Sequence, residues 1–236
     1  MKAEDLRAFV ESRGQKYSEI LGIDISEGKE EEIFKWFLAS LLFGAPITES
    51  SVIKTYRCFQ KHGVLTPSQI LKIGWDDLVK ILDEGGYTRY DFKTADKLLD
   101  VARNLTEKYS GILCLIHSES SDAHDFEKRL KNLGKGVGDV TVSIFLRELR
   151  DVWEKADPNP TALVVLAAQE LGIVKNDATA EEALEQLKAF WARNKIRRKS
   201  FVNFETALVR VGKDFRKKRR HNSLLTNSGH SGRRVP

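Results

Sequence analysis

The stretch Leu130-Lys-Asn-Leu-Gly-Lys-Gly-Val-Gly-Asp-Val-Thr141 lies between two segments whose apolar residues recur at helical spacing. Glycine has no side chain and tolerates positive φ, so Gly134, Gly136 and Gly138 predict a sharp turn whose amides point outward at the start of the next helix. Such a turn can bind an anion, because unpaired amides and the helix dipole both favour negative charge. A tight helix–helix connection without a ligand remains an open alternative.

The rest of the chain predicts an all-α protein. Apolar residues follow helical spacing almost everywhere, and no stretch alternates with a period of two. Thr48 is predicted to cap a helix that ends near Lys61, and Thr66 to cap one that begins at Pro67. A helix over 91–108 is predicted to bury Phe92 together with its other apolar residues. Further helices are predicted over 124–132, 138–150, 159–171, 179–193 and 197–211.

Charge is distributed unevenly along the chain. Residues 213–236 hold eight Lys and Arg against one Asp, so the net charge of +5 comes from this segment. With little to bury, it is predicted to be a flexible basic tail, which either adds salt-sensitive phosphate affinity or has no role. Before the tail, residues 1–30 and 159–212 are expected to form one helical lobe, and residues 31–158 a helical core.

Composition argues against a metal centre and a membrane span. Cys58 and Cys114 are the only cysteines, too few and too far apart in sequence for a zinc or iron–sulfur site, and we expect free thiols in a reducing compartment. No apolar run approaches the roughly 18–20 residues that cross a bilayer, and the N-terminus has no signal-peptide core. We therefore expect a soluble intracellular protein without cofactors.

Three ordered segments resemble one known family. Leu133 followed by Gly136-Val-Gly-x-x-Thr141 resembles the hairpin of the helix-hairpin-helix (HhH-GPD) DNA glycosylases, the superfamily of endonuclease III and of the adenine glycosylases that act opposite 8-oxoguanine. Residues 34–42 are similar to the early core helix of that family, and residues 90–99 to its Tyr-x-x-Lys-Ala stretch. The resemblance covers about residues 30–160. It implies an endonuclease III-like, two-lobed helical fold with the helix-hairpin-helix at about 124–150.

The resemblance also implies a role for the turn. Its amides would grip a DNA backbone phosphate, with a charge from Lys135 and a hydroxyl from Thr141, and such contacts fix position rather than read sequence. Asp139 opposes this role, because it puts a negative charge in the first turn of the following helix. The residues expected to contact DNA are Gly134, Lys135, Gly136, Val137, Gly138 and Thr141.

Asp157 lies where the family has its catalytic aspartate, after the hairpin helix in a proline-containing loop. An ionised carboxylate there would stabilise the positive charge that builds on the sugar, and would orient or deprotonate the attacking water. Without the resemblance, Asp157 is better interpreted as the cap of a helix that starts near Pro160.

Several departures from the family pattern bear on mechanism. Val140 stands where the bifunctional members carry the lysine that attacks the sugar, so we expect a monofunctional glycosylase; Lys135 is a nearby lysine. Two cysteines cannot hold the iron–sulfur cluster of many members. The family's gap-filling glutamine is absent after the early core helix, which leaves Tyr87 and Arg89 as candidates for insertion into the duplex. The hairpin is one residue longer than the common version.

The sequence therefore predicts a monomeric DNA glycosylase of the cytoplasm, associated with the nucleoid, that flips a damaged or mismatched base out of double-stranded DNA and hydrolyses its N-glycosidic bond. The lesion stays open. We expect the aromatic side chains of Trp36, Tyr90 and Trp153 to lie in the core and not to stack on a base. Two alternatives remain: a noncatalytic helix-hairpin-helix DNA-binding protein, and a helical interaction protein in which the glycine turn is only a connector.

Overall fold

A computed structural model describes the backbone of residues 3–228 and the side chains of residues 4–221. This range contains helices and no strands, which confirms the all-α prediction. The helices are α1 (Ala3–Arg13), α2 (Tyr17–Leu21), α3 (Glu30–Phe43), α4 (Glu49–Lys61), α5 (Pro67–Gly85), α6 (Asp91–Tyr109), α7 (Leu113–Glu119), α8 (Ala123–Lys131), α9 (Asp139–Glu148), α10 (Ala162–Glu170), α11 (Ala180–Arg193) and α12 (Phe201–Ser228).

The chain divides into two compact units. Within the described residues, one contains the chain up to Lys16 together with the chain from Asn159 onward, and the other contains Tyr17–Pro158. These boundaries follow residues 16 and 158, and the boundaries expected from the sequence follow residues 30 and 158.

The early boundary has a clear physical cause in the second unit. Ile23 and Ile25 are buried in the core of that unit. The buried carboxylate of Glu148 accepts hydrogen bonds from the amides of Tyr17 and Ser18, at 2.7 and 3.0 Å. A carboxylate at a helix N-terminus satisfies free amides and complements the dipole, so residues from 17 onward are tied to the end of α9.

Helix α3 is the centre of the second unit. Nine of its residues are buried, because its sequence is apolar around most of its circumference and such a helix needs partners on several sides. The indole Nε1–H of Trp36 donates to the carbonyl of Phe145 at 3.0 Å, which ties α3 to α9. Trp36 is fully buried, as predicted.

The predicted helix starts are confirmed at two threonines. Thr48 Oγ1 accepts from the amide of Ser51, and Thr66 Oγ1 from the amide of Gln69, each at 3.2 Å. These caps fix where α4 and α5 begin. Helix α5 is interrupted at Gly74, whose φ of 76° lies outside the helical range.

Helix α6 spans the predicted segment but does not bury Phe92. Ala95, Leu98 and Val101 lie in the core, whereas Phe92 is 57% exposed and contacts the ring of Trp75, with centroids 5.2 Å apart. The prediction for Phe92 was wrong, because the first turn of α6 extends past the core and its aromatic ring packs on a surface neighbour.

The other unit is built from α1, α10, α11 and α12. Helix α12 continues to Ser228, past the predicted helix end at 211 and the predicted start of a flexible tail at 213. Phe215 packs against the core of this unit, and Asp214 pairs with Arg13 at 2.7 Å. Residues 229–236 of the predicted tail lie outside the described residues. No helix between residues 3 and 228 is long and apolar enough to cross a membrane.

The contact between α10 and α12 generates a stability prediction. A Cβ at Gly212 would lie 2.1 Å from the carbonyl oxygen of Leu163, a rigid backbone atom. Gly→Ala in a helix ordinarily gains about 1 kcal/mol, but overpacking costs about 1–3 kcal/mol. We expect Gly212→Ala to lower the thermal unfolding temperature, measured by circular dichroism. Lys217→Ala on the exposed part of α12 is the control with little change, and a raised unfolding temperature for Gly212→Ala would show that the two backbones do not meet so closely.

Candidate functional site

The glycine segment forms the predicted helix-hairpin-helix. Helix α8 ends at Lys131, the turn occupies residues 132–138, and α9 begins at Asp139. Within the turn the amide of Val137 donates to the carbonyl of Gly134 at 3.1 Å. The carbonyl of Gly138 then accepts the first bond of α9, from Val142 at 3.1 Å.

The three glycines have different reasons to be glycine. A Cβ at Gly134 would lie 2.9 Å from Val101 Cγ2, so this residue lets the turn pack directly on α6. Gly136 has a φ of 90°, which side-chain-bearing residues rarely adopt. Neither reason applies to Gly138, whose φ is −105° and whose Cβ would meet no atom within 4 Å. The space in front of Gly138 is therefore open to a ligand.

The start of α9 has the properties of an anion site. Its N-cap, Gly138, has no side chain, and no side-chain cap satisfies the first amides of the helix. Asp139 is 88% exposed and pairs with Lys131 at 2.5 Å. The hydrogen bond and positive charge of Lys131 lower the pKa of Asp139. The same cation offsets the negative charge with which Asp139 would repel an anion.

Two of the residues expected at the DNA surface are buried instead. Thr141 is 2% exposed, and its Oγ1 lies only 2.1 Å from where a Cβ on Gly44 would be. Its side chain thus lies against the backbone at the end of α3, which corrects the expected phosphate contact by the hydroxyl. The side chain of Val137 is also buried and its amide donates to the carbonyl of Gly134, so Val137 offers neither group to a phosphate. Lys135 remains exposed.

Asp157 lies on the loop that follows α9. Arg150, whose side chain is only 6% exposed, donates to the Asp157 carboxylate and, at 2.5 Å, to the carbonyl of Pro158. The carboxylate itself is 43% exposed. The N-cap of α10 is Thr161, so Asp157 is not the capping residue of that helix. One guanidinium therefore fixes the loop backbone and the predicted catalytic side chain together.

Two further side chains anchor the same loop. The ammonium of Lys155 donates to the carbonyls of His117 and Ser120, at 2.8 and 2.6 Å. Trp153 stacks on His117, with ring centroids 4.9 Å apart, and is buried, as predicted for the core. Burial, with Lys155 nearby, lowers the pKa of His117, which favours the neutral form of the ring. The loop that carries Asp157 is thus fixed at several points.

The two wedge candidates have different surroundings. Tyr87 is 1% exposed, and its phenol donates to the carbonyl of Leu42, which corrects the expectation that it inserts into DNA. Arg89 is exposed on the same turn, with its guanidinium 5.8 Å from the ring centroid of the half-buried Tyr90. The insertion of Arg89 stays a prediction.

Lys97, a buried lysine next to the hairpin, was not among the predicted site residues. Its ammonium donates to the carbonyl of Leu41 at the end of α3, at 2.9 Å, and its side chain lines a groove of about 700 Å³ beside Lys135 and Gly136. Burial lowers the pKa of Lys97 to about 8. Helical spacing could have indicated that Lys97 is buried, because it lies three residues from Thr94 on the buried side of α6.

The buried ammonium predicts a pH-dependent stability. The folded pKa of about 8 lies below the unfolded value of 10.5, so the unfolded chain binds more protons between these two pH values and stability rises with pH there. In urea unfolding, we expect the free energy of unfolding of the wild type to gain about 3 kcal/mol relative to Lys97→Met between pH 8 and pH 10.5. The variant cancels the contributions of other groups. A constant difference across this range would show that Lys97 is not desolvated.

The chain was compared with known proteins. No family model matches the sequence, and no protein with a curated description matches it. Among solved structures, the chain is similar to the 8-oxoguanine DNA glycosylase of Thermotoga maritima, with 18% sequence identity and a TM-score of 0.52 over 87% of this chain and 89% of that one. The similarity confirms the predicted fold: the chain has the fold of a helix-hairpin-helix DNA glycosylase.

Proposed function

We propose that the protein is a monofunctional DNA glycosylase, which removes a damaged or mismatched base from double-stranded DNA. The observation that carries this proposal is the hairpin itself. Its glycine N-cap leaves the first amides of α9 without a side-chain partner, and Gly138 faces open space. The glycosylase fold supports the same conclusion.

The hairpin supplies the binding step. Amides at a helix N-terminus hold a backbone phosphate, and Lys135 adds a charge. Such contacts fix the register of the protein on the duplex without reading bases. The protein must therefore recognise the lesion through a nucleotide that is extruded from the duplex. Extrusion costs least where a base is damaged or mispaired, which favours lesions over normal pairs.

Asp157 supplies the chemical step. When the bond between the base nitrogen and the sugar carbon breaks, positive charge builds on the sugar, and a carboxylate stabilises that charge. The oxygen of water then bonds to the sugar carbon, its proton passes to the carboxylate, and the bonding electrons leave with the base. Arg150 is a positioning residue, because it holds the carboxylate and the loop through separate donors.

The absence of a nucleophile at position 140 supports hydrolysis without strand cleavage. Val140 is 59% exposed at the start of α9, where a lysine would be needed to form a Schiff base with the sugar. With valine there, water is the attacking group.

A noncatalytic DNA-binding protein is the second candidate. The ion pair between Asp157 and Arg150 favours it, since a carboxylate that already neutralises a guanidinium stabilises a sugar cation less well. Both candidates use the same hairpin and differ only in the fate of the base.

Asp157→Asn separates the two candidates. We expect the variant to lose base release by a factor of at least about a hundred while it keeps duplex binding, because it removes charge stabilisation but leaves the hairpin intact. The measurement is alkali-dependent strand breakage of duplexes that carry alkylated, oxidised or mismatched bases. Asp151→Asn, an exposed carboxylate earlier in the same loop, is the matched control that should retain activity.

The same assay distinguishes the remaining outcomes. If borohydride traps a covalent adduct between the wild type and DNA, the nucleophile is a lysine and not water. Lys135 would then be the first residue to mutate. Duplex binding without base release by the wild type would establish the noncatalytic candidate.

Gly138→Ala tests the hairpin alone. Its φ of −105° suits alanine and no protein atom obstructs the methyl group, so stability should not change, but the methyl group would keep a phosphate from the amides. We expect duplex affinity to fall about tenfold, the loss of a charge-assisted hydrogen bond. Asp139→Asn should change affinity in the opposite direction, because it removes a repelling charge. Unchanged binding by Gly138→Ala in fluorescence anisotropy would place the phosphate elsewhere.

A further inference from the structure

A groove beside the hairpin concentrates positive charge. It has a volume of about 700 Å³ and is lined by α6 and the hairpin turn, and we call it the α6 groove. Its charged residues are Lys93, Asp96, Lys97, Asp100, Arg103 and Lys135.

One row of side chains on α6 runs toward the hairpin. Lys93, Lys97 and Val101 follow each other at intervals of four residues, so they share a face of the helix. The backbone of Gly134 rests on Val101, and a Cβ at Gly136 would lie 3.6 Å from Lys97 Cδ. The two lysines thus continue the surface that the hairpin begins.

The carboxylates in the α6 groove already have partners. Asp96 accepts a hydrogen bond from the indole of Trp75 at 2.8 Å, and Asp100 pairs with Arg103 at 3.4 Å. Among the described residues, no carboxylate pairs with Lys93, Lys97 or Lys135. The three lysines therefore leave a net positive charge in the α6 groove.

The ammonium of Lys97 is held in place within this charged groove. It belongs to a side chain about nine-tenths buried, and it has three N–H donors, of which the carbonyl of Leu41 takes one. A partly satisfied, poorly solvated cation gains more from an incoming anion than an exposed one does.

We propose that the α6 groove binds a second backbone phosphate of duplex DNA, adjacent along the strand to the phosphate held by the hairpin, through Lys93 and Lys97. The inference rests on the proposed function, since it adds a second phosphate to the same DNA interface. A phosphate suits the α6 groove better than a base does, because the lining offers cations and only one aromatic ring, that of Tyr90.

The test is the salt dependence of duplex binding by the full chain. Removing the interaction with one phosphate should reduce the slope of log K against log salt concentration by about 0.9, which corresponds to roughly eightfold weaker binding at 0.1 M salt relative to 1 M. We expect this change for Lys93→Gln with damaged and undamaged duplexes alike. Lys108→Gln, an exposed lysine near the other end of α6, is the matched control and should leave the slope unchanged.

The outcomes separate this inference from the proposed function. An unchanged slope for Lys93→Gln, or an equal reduction for Lys108→Gln, would overturn the phosphate site while base release by the wild type continued to support the glycosylase. Failure of the wild type to bind duplex DNA would overturn both.

A second measurement tests Lys97 without relying on stability. Because burial lowers the pKa of Lys97 to about 8, the charge that holds the phosphate is present at pH 7 and reduced at pH 9.5. The titratable and charged groups that line the α6 groove with it are Lys93, Asp96, Asp100, Arg103, Lys135 and Tyr90. We expect Lys97→Met to bind duplex DNA more weakly than the wild type at pH 7, with a smaller difference at pH 9.5. Equal affinities at pH 7 would remove Lys97 from the site.

Discussion

Close backbone approaches at glycines hold the hairpin in place. Gly134 brings the turn onto Val101 of α6, and Gly44 brings the end of α3 against Thr141 of α9. Each approach is shorter than a Cβ permits, so α3, α6 and α9 are positioned by packing that leaves little freedom to shift. The proposed phosphate site of backbone amides needs such rigidity, because amides cannot adjust to a ligand as long side chains do.

Buried and half-buried cations provide the second level of organisation in this unit. Lys97 and Lys155 donate to backbone carbonyls, and Arg150 donates to a carbonyl and a carboxylate. Carbonyls at chain reversals lack helical partners, and a cation satisfies them with a charge-assisted bond. The positions of the hairpin and of the Asp157 loop thus depend on polar interactions as well as on the apolar core.

The sequence predicted what local chemistry controls. Thr48 and Thr66 marked helix starts, and the glycine segment marked the hairpin, because caps and turns depend on residues close in the chain. The hydrogen-bond partners of Tyr87 and Lys97 are distant carbonyls at the end of α3, which helical spacing does not identify. The length of α12 was also missed, since its basic residues resemble a solvated tail while Phe215 packs on the core.

The ion pair between Arg150 and Asp157 links the position of the loop to the proposed reaction. Arg150 has separate donors for Asp157 and for the carbonyl of Pro158, so the loop backbone keeps a hydrogen bond if the carboxylate turns toward a sugar. Without DNA, the guanidinium neutralises the Asp157 carboxylate. In the proposed reaction, developing positive charge on the sugar would compete with Arg150 for Asp157, and this competition would favour release of the carboxylate in the transition state more than in the ground state.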